Sequence, residues 1–321
     1  MSTELNNKAQ IKAEKKAEFK EWFFFQKKEF VKNVNIVKQL VLRSIKVQYR
    51  NSVIGVFWTV LNPLLNMLVM YLVFSNMFAS SKATATDTET FALYLLCGNI
   101  VFGMMRTATF QSLPSLVLNR GLLTKNKMSY NVFPLSCNLS ALVNFGFSFI
   151  ALLGVMLVVW MQGESVFSIN IFLTLAMLPA LFLFSYGLSL ILSAMYTFFR
   201  DIMHFYNVFL TLWMYLTPIF YSIDLFKNGK FDGKFMTTII QLNPMYYFVE
   251  YFRDVAYRCA AHQGAIDELV ANGEAVSQAM LEAAALPGIG ALLGLYAIGI
   301  ASLTIGAVVF MATKRKFIYN I

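Results

Sequence analysis

The sequence predicts an all-α polytopic membrane protein with six transmembrane helices, an N-terminal amphipathic helix at the membrane interface and an outer re-entrant hairpin between the fifth and sixth helices. Apolar residues make up 58% and charged residues 13% of the 321 positions, whereas a soluble domain carries about a quarter charged residues. Six long stretches contain no Asp, Glu, Lys or Arg. The polar segments between these stretches alternate in the sign of their charge.

Each uncharged stretch has room for one membrane helix, which needs about 20 apolar residues. The second stretch is long enough once it continues past Arg106. The stretches cover residues 51–81, 91–105, 128–163, 165–199, 202–223 and 283–313. We assign residues 51–313 to one transmembrane domain. A cytoplasmic segment of residues 1–50 precedes it, and a cytoplasmic tail of residues 314–321 follows it.

The positions of Lys and Arg predict the orientation. Residues 1–50 hold twelve basic and five acidic side chains, a net charge of +7 out of +9 for the whole chain. Basic residues also follow the second and sixth stretches, whereas the segments after the first, third and fifth are acidic or mixed. The positive-inside rule then places both termini in the cytoplasm. We interpret the excess positive charge as contact with membrane lipids and not with nucleic acid.

The N-terminal segment has apolar residues at helical spacing with lysines between them. This pattern is typical of an amphipathic helix that lies on the inner membrane surface. Two interpretations remain open: a simple anchor for the first span, or a surface that docks a cytoplasmic partner. The apolar positions are Phe19, Trp22, Phe23, Phe30, Val34, Val37 and Val41.

Between the fifth and sixth stretches, residues 235–249 form an uncharged run that is too short to cross a bilayer and is interrupted at Asn243-Pro244. Non-helical backbone at membrane depth is tolerated where it packs inside protein or lines a wet cavity. We therefore predict a re-entrant hairpin that enters from the outer face and borders a pathway. An exposed outer helix pair is expected within residues 258–281.

Catalytic constellations are absent from the sequence. The two histidines, His204 and His262, lie on distant segments, and the three cysteines show no C-x-x-C spacing, so no metal site or disulfide framework is predicted. The chain has no P-loop motif. Its uncharged stretches offer no acidic residue for an ion-coupled carrier. If the protein moves a substrate uphill, we expect the energy to come from a partner ATPase.

Residues 49–64 (YRNSVIGVFWTVLNPL) resemble the Y-[KR]-x-S-x-[LI]-G-x-x-W…P-L opening of ABC-2 type permeases that export polysaccharides. Asn243-Pro244 and Arg253 match that family's outer gate region, here residues 224–285. The resemblance covers the chain from about Lys38 onward, with its motifs in the family's order. Three further similar segments are residues 122–135 (LLTKNKMSYNVFPL), 199–202 (FRDI) and 216–221 (LTPIFY).

The resemblance implies a homodimer in a bacterial inner or plasma membrane, assembled with two copies of a separate ABC ATPase. The ATPase would bind ATP and Mg, and this chain would bind no cofactor. The implied substrate is a lipid-linked polysaccharide of the undecaprenyl-pyrophosphate type, such as O-antigen, capsule or teichoic acid. The implied coupling loop is residues 111–134, where an ordinary basic inner loop is the alternative. Its predicted ATPase contacts are Asn119, Arg120, Leu122, Leu123, Lys125, Asn126 and Lys127.

A channel for sugars needs aromatic rings, which pack on C–H faces, and polar groups, which bind hydroxyls. The fifth stretch supplies the aromatic rings at helical spacing and the first supplies the polar groups. Ordinary aromatic packing or an interfacial aromatic belt, and amides that join helices, are the alternatives. The predicted channel residues are Thr59, Asn62, Asn66, Phe205, Phe209, Trp213, Phe220 and Tyr221.

Arg106 is a guanidinium inside a predicted span, where charge costs at least about 2.5 kcal/mol. We hypothesise that Arg106, with Arg50 and Arg120, attracts the substrate pyrophosphate, since arginine binds phosphate in a bidentate manner. The alternative is that Arg106 extends to the inner headgroups.

Three other classes of protein fit the sequence less well. An ABC-2 multidrug or antibiotic exporter shares the fold but not the opening at residues 49–64. A membrane-embedded glycan-modifying enzyme needs convergent His, Asp or Glu side chains, which the predicted spans lack. A receptor or scaffold does not explain the interrupted hairpin.

Overall fold

The computed structural model describes residues 33–48, 50, 55, 57–78, 91–125, 128–221, 223, 233–272, 275–314 and 317. Within these residues all regular secondary structure is helical. The helices are α1 (33–48), α2 (Phe57–Phe78), α3 (Phe91–Ser112), α4 (Ser115–Leu118), α5 (Arg120–Lys125), α6 (Val132–Met161), α7 (Leu173–Phe198), α8 (Ile202–Leu216), α9 (Gly233–Leu242), α10 (Pro244–Arg253), α11 (Cys259–Ala271), α12 (Gln278–Ala284) and α13 (Ile289–Thr313).

Four helices in the described part of the chain are long and apolar enough to cross a membrane: α3, α6, α7 with the 3₁₀ turn that precedes it, and α13. Helix α2, whose apolar segment is Phe57–Val73, and the shorter apolar helix α8 lie at the positions of the predicted first and fifth spans. Helix α8 has 15 residues, which is about 22 Å at 1.5 Å per residue. This is less than the hydrocarbon thickness of about 30 Å.

Helix α3 lies at the centre of the domain, in contact with α2, α6, α7, α8 and α10. Leu93, Leu96, Val101 and Met105 are fully buried. Arg106, the one charged residue of the helix, lies on its exposed side. A helix with a single charged residue suits this central position, because every face except that of Arg106 can enter an apolar core.

Helices α7 and α13 form the most extensive helix pair, and small residues bring their backbones together. A Cβ atom added at Gly306 would overlap the Gly187 carbonyl oxygen, and one added at Gly299 would lie 2.7 Å from the Ala180 oxygen. Ser302 Oγ donates a hydrogen bond of 2.9 Å to the Phe184 oxygen. Close approach at small residues is a common basis of helix packing in membranes.

The fifth uncharged stretch does not continue as a helix to its end. Helix α8 stops at Leu216, because Pro218 cannot donate a backbone hydrogen bond and disfavours helical geometry at Thr217. Thr217 Oγ1 donates to the Trp213 oxygen at 2.9 Å. Residues 217–221 form turns and bends whose backbone oxygens need partners from elsewhere in the molecule.

The segment that was predicted as a hairpin consists of α9 and α10, separated by Asn243. Asn243 is the N-cap of α10, and its side chain accepts a hydrogen bond from the Met245 amide at 3.0 Å. Helix α10 continues through a π-helical turn (Asp254–Arg258) into α11. Helices α11 and α12 pack on each other at the position of the predicted outer helix pair.

Candidate functional site

The guanidinium of Arg253 is the central feature of the predicted outer gate, and it is fully buried. Nη1 donates to the Pro218 oxygen at 2.8 Å and Nη2 to the Ile219 oxygen at 3.1 Å. Nε and Nη2 donate to the backbone carbonyl oxygen of Tyr94 at 3.2 and 3.1 Å. Arg253 therefore joins α10 to α3 and to the irregular backbone that follows α8.

The Arg253 side chain thereby pairs backbone oxygens of the irregular segment that follows α8. Backbone oxygens outside a helix and away from water must be paired, since each unpaired buried group costs about 1–3 kcal/mol. The Tyr94 hydroxyl pairs a further backbone oxygen of this segment, because it donates to the Tyr221 carbonyl oxygen at 2.6 Å. Gly98 leaves room for the guanidinium: a Cβ atom there would lie 2.8 Å from Arg253 Nη2.

The other end of α10 is joined to the same region by Asn243. Its Oδ1 accepts from Trp213 Nε1 at 2.7 Å, and its Nδ2 donates to Thr217 Oγ1 at 2.9 Å. Asn243 and Arg253 thus attach both ends of α10 to residues 213–219. Pro244 occupies the first turn of α10, where its missing N–H has no helical partner to lose.

The charge of Arg253 is balanced by an ionic cluster around the π-helical turn. Arg253 Nη1 lies 2.9 Å from Glu250 Oε1. Arg258 Nη1 lies 2.8 Å from Glu250 Oε2 and 2.6 Å from Asp254 Oδ1. Two arginines and two carboxylates therefore form one network, and paired charges of this kind are the form in which ions are tolerated away from water.

The predicted polar channel residues of α2 line a cleft between α2, α3 and α6. Thr59 is buried, whereas Asn62 and Asn66 are exposed in a single chain. The cleft has a volume of about 220 Å³. Asn99 of α3 and Asn144 of α6 also line it. The structure therefore brings the α2 residues together with two amides that were not among the predicted site residues.

The predicted aromatic residues fall into two groups. Phe205 and Phe209 lie on the exposed side of α8, with relative exposures of 76% and 49%. Trp213 is partly buried beside Phe209, with ring centroids 5.2 Å apart. Phe220 is 7% exposed and belongs to the core, and the Tyr221 hydroxyl donates to the Tyr215 oxygen at 2.8 Å. The exposed aromatic surface is therefore the first half of α8.

The predicted coupling loop contains α4 and α5. Leu122 and Leu123 are partly buried against an apolar cluster, which we call the basal cluster. Leu118, which was not predicted as a contact, is 76% exposed. Asn119 Nδ2 donates to the Ser115 oxygen at 2.8 Å and connects the two helices. The basal cluster consists of Leu116, Phe133, Leu190, Ala194, Phe310 and Phe317, with Leu40 of α1 packed against it.

Other predicted positions are exposed or lie outside the described residues. Arg50, Arg106 and Arg120 are exposed, and none of them lines the cleft. Val37 of the N-terminal amphipathic pattern is buried, Val41 is partly buried and Val34 is 48% exposed. The structure gives no description of the Lys125 side chain, of Asn126 and Lys127, or of Phe19, Trp22, Phe23 and Phe30.

Comparison with known proteins identifies the class. Residues 36–257 match the family model of the ABC-2 type transporter. The chain is 30% identical over 189 residues to the O-antigen export system permease protein RfbA of Myxococcus xanthus, covering 59% of this chain and 69% of the relative. It is 25% identical over 193 residues to the O-antigen export system permease protein RfbA of Klebsiella pneumoniae, covering 57% and 67%.

The chain belongs to the ABC-2 type transporter family. The resemblance inferred from residues 49–64 and the later motifs is thereby confirmed. With several apolar helices of membrane-spanning length, the protein is a multi-pass membrane permease.

Proposed function

We propose that this protein is the membrane-spanning subunit of an ATP-binding cassette exporter that moves a lipid-linked polysaccharide across the bacterial inner or plasma membrane. Two copies form the conduit and two copies of a separate ATPase drive it. The observation that carries the proposal is the match to permeases named for O-antigen export over more than half of the chain. The polar face of α2 and the aromatic face of α8 support it, because both are exposed in a single copy.

In the proposed mechanism, ATP closes the ATPase dimer and α4–α5 transmit the movement to the basal cluster. Helices α2 and α8 of the two copies then separate into a channel, where Phe205 and Phe209 contact the sugars. Helices α2 and α8 complete a set of six spans, with both termini in the cytoplasm. Helices α9 and α10 enter the membrane from outside as a re-entrant hairpin, and the Arg253 contacts hold this hairpin against the outer end of α8.

Reconstitution with the partner ATPase tests the substrate class. Lipid-linked polysaccharide from the cells that carry the transporter should accelerate ATP hydrolysis by the assembled complex, whereas hydrophobic drugs should not. Acceleration by drugs alone would favour the multidrug ABC-2 exporter. Chemical modification of a glycan by the isolated permease would favour the membrane-embedded glycan-modifying enzyme.

Substituting Leu118→Ser should weaken binding of the ATPase. An apolar side chain that is 76% exposed in the described structure gains burial when a partner covers it. We expect less ATPase to co-purify with the variant and its ATPase activity to be uncoupled from the glycan. Ile169→Ser is the matched control, since Ile169 is 82% exposed at the opposite end of the spans. Equal recovery of ATPase with both variants contradicts docking at Leu118.

Cysteine labelling of intact cells tests the orientation. The native Cys259 is unsuited because it is buried, its thiol donates to the Ala285 oxygen at 3.4 Å, and burial raises the pKa of that thiol to about 11. Glu268→Cys, on the exposed side of α11, should react with an impermeant thiol reagent from outside. Lys314→Cys, at the first residue of the tail, should react only after permeabilisation. The reverse pattern would overturn the assignment of cytoplasmic termini.

A further inference from the structure

The cleft between α2, α3 and α6 is polar although it lies between apolar helices. Its polar side chains are amides and hydroxyls, and no Asp, Glu, Lys or Arg is among its lining residues. In contrast, the cavity between α6 and α7 is lined almost entirely by apolar side chains. The polar lining residues of the α2–α3–α6 cleft are Gln48, Thr59, Asn62, Asn66, Asn99, Thr107, Asn144 and Ser148.

Asn144 contributes to the wall of the cleft a hydrogen-bond acceptor without a partner among the described residues. Its Oδ1 atom is buried and accepts no hydrogen bond within the described part of the protein. The neighbouring Ser148 hydroxyl does not satisfy it, because Ser148 Oγ donates to the Asn144 backbone oxygen at 3.1 Å. A buried acceptor without a partner is unfavourable. Asn144 therefore places in the wall of the cleft an acceptor that water or a ligand hydroxyl can pair.

The side chains that line the cleft indicate which kind of ligand it can bind. Uncharged amides and hydroxyls cannot balance an ion, but they donate and accept hydrogen bonds in the way that sugar hydroxyls need. Ile100, Met104 and Phe145 supply apolar surface for the C–H face of a ring. The volume of about 220 Å³ lies below the range of about 300–1,000 Å³ that is usual for sites of drug-sized ligands. We therefore assign the cleft to one sugar unit.

The cleft begins at the end of the spans where the coupling loop lies. Gln48 is the last residue of α1, Thr59 lies at the start of α2, and Thr107 is near the end of α3 that precedes the coupling loop. Asn99 and Ser148 lie closer to the middle of α3 and α6. With the proposed orientation, the cleft runs from the cytoplasmic mouth toward the middle of the membrane.

We propose that this cleft binds one sugar unit of the lipid-linked polysaccharide as the glycan enters the conduit, with Asn99, Thr107, Asn144 and Ser148 as substrate-contacting residues. This inference rests on the proposed function, because the glycan is the hydroxyl-rich ligand that the exporter would carry. It extends the substrate-contacting surface beyond α2 and α8 to α3 and α6.

Protection of an introduced cysteine tests the proposal in the reconstituted complex. Ser148→Cys should react with a small charged thiol reagent, because the cleft admits water. Lipid-linked polysaccharide at about ten times its Kd should slow the reaction about tenfold, since only the unoccupied fraction reacts. Undecaprenyl pyrophosphate without sugar should give no protection. Thr107→Cys provides a second position, and the wild-type protein gives the background of the native cysteines.

Glu268→Cys, at an exposed position of α11 outside the spans, is the matched control and should show no protection by the glycan. Two results overturn the inference: no reaction at either cleft position, or reaction at both with the same rate with and without glycan. Glycan-stimulated ATP hydrolysis is measured in the same samples. Stimulation without protection rejects the cleft as a sugar site and leaves the exporter intact, whereas a glycan that fails to stimulate the wild-type complex rejects the proposed function.

Discussion

Replacing Arg253 with leucine is expected to destabilise the purified permease strongly and to abolish export. The substitution removes the guanidinium that donates to the backbone oxygens of Tyr94, Pro218 and Ile219. The Pro218 oxygen keeps the Tyr94 hydroxyl as a donor, whereas the Ile219 oxygen loses the arginine donor. Breaking a buried, hydrogen-bonded ion pair from one side typically costs about 3–5 kcal/mol. We expect a large fall in the thermal unfolding temperature in detergent and loss of surface polysaccharide in cells that carry the variant.

Arg253→Lys separates the charge of the side chain from its geometry. Lysine keeps the charge but has three donors on one atom, which cannot reproduce the planar fork that reaches α3 and the end of α8 together. We expect a stability between those of the wild type and the leucine variant. Arg43→Leu, at an exposed position of α1, should change stability by no more than about 0.5 kcal/mol. Wild-type stability of Arg253→Leu would refute the structural role.

The second large effect is expected from Gly306→Ala. The added methyl group would overlap the Gly187 carbonyl oxygen, so α7 and α13 must move apart along their most extensive contact. Overpacking of a tight core typically costs about 1–3 kcal/mol. The loss should be visible as a lower unfolding temperature and as reduced yield of the complex with the ATPase.

Gly294→Ala is the matched control on the same helix. An added Cβ atom at Gly294 has no atom within 4 Å, and alanine is preferred over glycine inside a helix by about 1 kcal/mol. This variant should be as stable as the wild type or more stable. Equal stability of the Gly306 and Gly294 variants would contradict the close packing of α7 on α13.

The helices were predictable from local patterns. Uncharged stretches locate α3, α6, α7 and α13, because the cost of charge in a bilayer acts on each residue separately. Asn243-Pro244 likewise marks the break between α9 and α10, since proline cannot continue the helix before it. These features depend on the chemistry of neighbouring residues and need no knowledge of the tertiary fold.

The Arg253 site was predictable only in part. Arg253 and Asn243 were identified through the family resemblance, but the partners of Arg253 lie on other helices, and Tyr94 is 159 positions away in the chain. Pro218 ends α8 locally, but the irregular backbone that follows is stable only when its oxygens are paired by such distant partners. Hydropathy and periodicity carry no information on such distant pairs.

The remaining differences between the predicted and observed site residues depend on the direction in which each helix face points. Asn99 and Asn144 were visible as amides inside uncharged stretches, but their convergence on one cleft depends on how α3 and α6 face α2. Leu122 was predicted as an ATPase contact, whereas Leu118 was not. The structure turns Leu122 toward the basal cluster and leaves Leu118 exposed.

The central claim is that this chain is a conduit for a lipid-linked polysaccharide that depends on a separate ATPase. The direct measurement is ATP-driven translocation of the labelled glycan in proteoliposomes containing the permease alone, the ATPase alone or both. We predict translocation only when both proteins and ATP are present. Translocation or ATP hydrolysis by the permease alone, or no translocation by the complete complex, would contradict the claim.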